Sequence, residues 1–332
     1  MKFILKLIPV TLIATLLSVS SFASAQLDVR VFALAWNPAG TILAASGRDT
    51  DGGGLWFYDI DGQLIDQINV FSSVLSVSWS PDGSKIAGRT VGSPDEYMIW
   101  DVDTKTVLSR FEDSYPTDNY FVYWNPDGDR LATVASVAVL VRDSTSGDII
   151  STLFSPGSHT DAVQSVAWNA DGSKLFVASA DNVVRVWDVA TATILSTFPL
   201  SYLPSAMVLS PDGTEIAVTA DRMVEIRDAE TGTLLSSFQP LPSDDFYRYV
   251  SLLKWHPDGS QIASASSDNI QIWDLETSTT IALFPQIDRT RSYPEAMDYS
   301  IDGKFAYMGE DGHITIIDSS QLQTPINNHA DT

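Results

Sequence analysis

One five-residue phrase returns seven times along the chain, and no other feature constrains its fold as tightly. It reads WNPAG at Trp36, WSPDG at Trp79, WNPDG at Trp124, WNADG at Trp168, LSPDG at Leu209, WHPDG at Trp255 and YSIDG at Tyr299. Successive closing glycines, from Gly40 to Gly303, lie 41 to 46 residues apart, which is the length of one four-stranded sheet module. Each phrase is a hairpin turn, because proline presets φ at the first corner and Asp-Gly tolerates positive φ at the next. Short β-rich runs flank the turns, for example Val163 to Trp168 and Lys174 to Ser179. They predict the first and second strands of each module.

A second landmark follows every turn: an aspartate that ends a third apolar strand, at Asp59, Asp101, Asp143, Asp188, Asp228, Asp274 and Asp318. One four-stranded sheet cannot cover both of its own faces, whereas sheets packed radially cover one another, and seven are enough to close a ring. The prediction is an all-β chain, a seven-bladed β-propeller of four-stranded antiparallel blades over residues 26–327. The tryptophans that end the first strands are read as inter-blade packing, worth about 2 to 3 kcal/mol for each buried ring. Gln321 to Asn327 reads as an outer strand, with Pro325 on its free edge. The seventh blade is then built wholly from the last repeat.

Three of the strand-ending aspartates follow tryptophan, at Trp100, Trp187 and Trp273. The runs VVRVWD at Val183 to Asp188 and IQIWD at Ile270 to Asp274 resemble the WD-repeat family, and the resemblance extends over residues 30 to 327. It implies a buried hydrogen-bonded network in the fourth blade, with His159, Asp181 and Trp187 at the matching positions and Ser179 as the hydroxyl member. The sixth blade keeps Asp268 and Trp273 but lacks the histidine. Such a network is structural, since a buried polar set that satisfies itself stiffens a blade. The resemblance also implies a non-catalytic scaffold that binds a protein or peptide.

The chain opens with Met1, Lys2 and Lys6, continues apolar from Leu7 to Val19 and reaches the small residues Ser20 to Ala25. That order is expected of a cleavable signal peptide over residues 1–25, which places the mature protein in a secreted or periplasmic setting with no stable membrane insertion. Residues 328–332 form a polar tail. Cysteine is absent, so thiol catalysis, thiolate metal sites and disulfides are excluded. Loss of Lys2 and Lys6 with the leader moves the net charge from −23 to −25. A surface so acidic repels phosphate backbones, and nucleic acid is not an expected partner.

Histidine occurs only at His159, His256, His313 and His329, and there is no HExxH motif or GxSxG elbow. No catalytic residue, metal ligand or cofactor is expected. Asp298, Ser300, Asp302 and Gly303 imitate the start of a calcium loop, but the twelfth position is Gly309 and the segment shares the turn register of the other repeats. Asp49 and Asp51 precede Gly52 to Gly54 in what reads as a solvated glycine-rich insertion. Further insertions, Thr90 to Glu96, Glu112 to Asn119, Ser155 to Ala162, Gln239 to Tyr249 and Gln286 to Glu295, extend the same face of the ring. They and the strand starts beside them carry Tyr115, Tyr120, Phe246, Tyr247, Arg248, Tyr249, Arg289, Arg291 and Tyr293, residue types that dominate recognition surfaces. These nine are the candidate partner-binding residues. The alternative is a small molecule, glycan or metal at the central funnel, with carboxylate-based chemistry there.

Overall fold

The computed structural model describes residues 29–92, 95–112, 121–154, 162–220, 223–239, 250–266, 269–285, 296–309 and 313–322. Seven antiparallel sheets follow one another along the chain, each with its strands in sequence order. The fourth is representative: Val163–Trp168, Lys174–Ser179, Val183–Asp188 and Thr193–Pro199. Its turn phrase falls between the first two strands, and Asp188 closes the third opposite Lys174. The turn glycines Gly40, Gly83, Gly128, Gly172, Gly213, Gly259 and Gly303 all have φ between 68° and 82°, the left-handed region that glycine enters without a Cβ penalty.

Burial follows the radial arrangement. Third strands of the first six blades are buried over most of their length, as in GGLWFY at Gly53–Tyr58, because a neighbouring blade lies against each face, while that of the seventh, Ile314–Asp318, is half-buried. Outer strands alternate between exposed and half-buried, as in Thr193–Pro199. Apolar clusters form between blades: Val139 and Val141 of the third blade pack with Leu175 and Trp187 of the fourth. Leu34, Trp36 and Tyr58 of the first blade meet Ala296 and Ala306 of the seventh. The ring is therefore closed, and its core is a series of inter-blade seams.

Two expectations need correction. Gly53 and Gly54 are buried strand residues, because the Ser72 carbonyl oxygen would lie 2.3 Å from a Cβ on Gly53 and that of Ile68 2.7 Å from one on Gly54. Gln321 does not begin an outer strand: Ser319–Leu322 is a 3-10 turn that carries buried Leu322 into the seam between blades six and seven. Among the described residues the seventh sheet thus has three strands, Met297–Tyr299, Lys304–Met308 and Ile314–Asp318.

Candidate functional site

Antiparallel order gives the disc two unlike faces. On one lie the turns between first and second strands and between third and fourth strands. Their carboxylates are occupied by the turns themselves: Asp101 accepts from the Thr104 amide at 2.7 Å and its hydroxyl at 2.8 Å, and Asp188, Asp228 and Asp274 repeat the bonds with Thr191, Thr231 and Thr277. In the first turns Asp82 accepts from the Ser80 hydroxyl, led by which its pKa falls to about 2, with the Ser84 amide and hydroxyl assisting. Much of this chain's acidity is turn architecture.

The opposite face carries the connections between blades and between second and third strands. Phe71, Val91, Phe154, Tyr202 and Leu203 lie exposed there, each in or beside such a connection. Sequence reasoning missed them, since a lone apolar residue in a loop carries no signal of its exposure. Tyr115, Tyr120, Phe246, Tyr247, Arg248, Tyr249, Arg289, Arg291 and Tyr293 lie outside the described residues.

Of the implied network, His159 and Asp268 lie outside the described residues, while Ser179, Asp181 and Trp187 are placed. Asp181 accepts from the Val183 amide and forms an ion pair with Arg185. Ser179 Oγ has no partner among the described residues. In the sixth blade Trp273 Nε1 donates to Ser264 Oγ at 3.0 Å. The strand register puts Val177 at the equivalent position in the fourth blade, so Trp187 meets no hydroxyl there.

The residue preceding the last position of each first strand is Ala35, Ser78, Tyr123, Ala167, Val208, Lys254 or Asp298. Three of their carbonyls join blades: the indole Nε1 groups of Trp79, Trp124 and Trp168 donate to the carbonyls of Ala35, Ser78 and Tyr123 in the preceding blade. At the seam between the last blade and the first the device differs. Asp298 Oδ2 accepts from the Trp36 amide at 2.8 Å and Oδ1 pairs with Lys254 Nζ at 2.9 Å, joining blades six, seven and one.

Asp302 is engaged separately, by Ser300 and Lys304, so the carboxylates of the calcium-like segment serve different partners. No group of three or more metal-ligating side chains occurs among the described residues. His256 bridges Asp258, at 2.6 Å from Nδ1, and Ser319, at 2.9 Å from Nε2. This is the order of an acid, base and nucleophile, but Ser319 is buried and its hydroxyl donates to the Gly303 carbonyl. The trio pins the last turn of blade seven to blade six.

A family model described as "WD domain, G-beta repeat" matches residues 147–188 and 244–274, the stretches that hold the Trp187-Asp188 and Trp273-Asp274 pairs. The chain carries WD repeats. WD repeat-containing protein 1 of Mus musculus is 31% identical over 80 residues, 24% of this WD-repeat chain and 13% of that protein. WD repeat-containing protein AAC3 of Dictyostelium discoideum is 27% identical over 187 residues, 54% of this chain and 38% of its own, and COMPASS component SWD3 of Saccharomyces cerevisiae 26% over 118 residues, 36% of each. The chain thus spans well under half the length of these relatives. Among solved structures, the β-propeller domain of Cps50 (Swd1) from Myceliophteria thermophila superposes with a TM-score of 0.70 at 16% identity, covering 86% of this chain and 95% of that one. At that identity the likeness is one of fold.

Proposed function

We propose that this WD-repeat propeller is a non-catalytic scaffold, exported through the leader at residues 1–25, that binds a protein or peptide through the face bearing its inter-blade connections. The observation that carries the reading is the asymmetry of the disc. The turn face spends its polar groups on its own turns and exposes Ile60 and Ile301 singly, while the other face holds exposed Phe71, Val91, Phe154, Tyr202 and Leu203 on or beside its connections. Large apolar side chains on loops of a rigid ring are what an interface uses and what a solvated loop does without. The relatives point the same way, since one is by name a component of an assembly.

The test is capture of a partner from native extracellular or periplasmic extract by the immobilised protein. Replacing Phe71, Tyr202 and Leu203 together by Ser, or Phe246, Tyr247 and Tyr249 together by Ala, is expected to abolish capture with the circular dichroism unchanged. Capture that survives both triple variants overturns the assignment of this face. Detection of the protein only in the cytoplasmic fraction, with residues 1–25 retained, overturns export.

A further inference from the structure

The outer edge of blade seven differs from that of the other six. In blades one to six the residue four before the strand-ending aspartate, Leu55, Tyr97, Val139, Val184, Val224 or Ile270, is at most 1% exposed. Opposite it the outer strand places isoleucine, leucine or phenylalanine, as Phe198 stands opposite Val184. Two of these covering rings also seal the next blade: a Cβ on Gly147 would lie 2.6 Å from the Phe111 ring, and one on Gly232 would run into Phe198. In blade seven the equivalent third-strand residue is Ile314, which is only half-buried. Among the described residues, Ile314–Asp318 pairs on one side alone, with Lys304–Met308. Ile314 and Ile316 turn toward blade one, where Gly62 is the counterpart of Gly147 and Gly232. A Cβ on Gly62 would meet only Ile316 Cδ1, at 3.9 Å, among the described residues. An unpaired strand edge, a half-covered isoleucine and a glycine with no ring against it thus coincide at the seam between blades seven and one. In the other blades the covering residue stands nine or ten positions after the aspartate, and the same count from Asp318 reaches Asn327 and Asn328. In that register the chain offers an amide where the other blades bury an apolar side chain, and burying an amide without partners is costly.

We propose that the edge of Ile314–Asp318 accepts an extended segment of a partner polypeptide as an antiparallel fourth strand, one large apolar side chain of which lies opposite Ile314 and against Gly62. Strand addition draws affinity from the backbone groups of the edge and selectivity from the place made for a side chain. This edge lies on the rim of the disc, and the assignment does not rest on that of the loop-bearing face. The chain's own outer strands supply the probe. A fluorescent peptide with the sequence of Thr191–Leu200, TATILSTFPL, is titrated with the full chain and followed by anisotropy, beside the same peptide carrying Phe198→Asn. Saturable binding with a Kd below about 1 mM is expected for the first peptide, and binding weaker by at least about tenfold for the second, which has lost the buried ring. Since the chain has no cysteine, disulfide trapping reads the register. Protein carrying Ile314→Cys, with the circular dichroism of the parent, is expected to trap a Phe198→Cys peptide several-fold faster than protein carrying Ser237→Cys on the exposed outer strand of blade five. No saturable change in anisotropy up to about 1 mM, equal binding of the two peptides, or equal trapping rates overturns the proposal. So does binding that appears only after truncation following Leu322, since the chain's own residues would then already occupy the edge.

Discussion

Residue 142 of the third blade is arginine at the strand position where the fourth and sixth blades carry tryptophan, and the side chain does the tryptophan's work. Arg142 Nε donates to Thr133 Oγ1 at 3.3 Å, in the register where Trp273 donates to Ser264, and Nη1 reaches the Gly147 carbonyl at 3.0 Å. Arg227 of the fifth blade makes the parallel bond to the Gly232 carbonyl at 2.7 Å. Arg142→Met is expected to cost about 1 to 3 kcal/mol by urea denaturation, the range for losing hydrogen bonds from a buried charged group. Arg142→Trp should cost less, because an indole N–H can restore the bond to Thr133. Equal losses would show that packing alone matters at this site. The Trp-Asp pairs were legible in the sequence because they preserve residue type. The arginines were not, since what the blades share there is a donor to the adjacent strand. The converse error occurred in the fourth blade, where matching residue types suggested a network whose hydroxyl position is Val177.

The turns are the elements whose chemistry the sequence disclosed most fully, since Asp-Gly dictates backbone conformation and capping group in the first turns and an aspartate ends every third strand where the next turn begins. Their hydrogen bonds hold Asp82 at about 2, against an ordinary value of 3.8, and hold Asp101, Asp143, Asp188, Asp212 and Asp228 low as well. A folded-state pKa below the unfolded one gives stability that is complete above the ordinary carboxylate range and is lost as pH falls through the folded value. Glu215 runs the other way, raised first by burial and then by Asp212 and Asp228, and the repulsion within so acidic a chain also eases on mild acidification. The Tm is therefore expected to hold or rise from neutral pH to about 4.5 and then to drop steeply between about pH 4 and 2. A monotonic fall from pH 7, followed by scanning calorimetry, would contradict this account. The connections were legible only as lengths and compositions. Gly53 and Gly54 looked like loop because the backbone that excludes their Cβ atoms, at Ser72 and Ile68, belongs to a neighbouring strand and connection, where no sequence pattern points. Leu322, by contrast, ends a turn whose apolar residue is buried in the sixth and seventh blades' seam. Truncation after Asp318 should accordingly lower the Tm even though it removes no strand among the described residues.

Seven repeats foretold a ring, but repetition cannot say how a ring closes, because the closing seam is the one junction whose partners are farthest apart in sequence. Here Trp36 and Asp298 are 262 residues apart, and no strand from the start of the chain joins the seventh sheet among the described residues. Asp298 takes on the closure, its two oxygens shared between the first blade's Trp36 amide and the sixth blade's Lys254. Asp298→Asn keeps an oxygen for the amide and gives up the charge pair, whereas Asp298→Ala surrenders both. Losses of about 1 to 3 kcal/mol are expected, larger for alanine. Loop-closure entropy makes this seam the natural place for the ring to open, since every other junction is also held by chain continuity. Hydrogen exchange on the alanine variant should therefore accelerate first in Arg30–Trp36 and Met297–Tyr299, ahead of the third-to-fourth-blade seam. Uniform acceleration round the ring would mean that Asp298 contributes stability but does not govern where the disc comes apart.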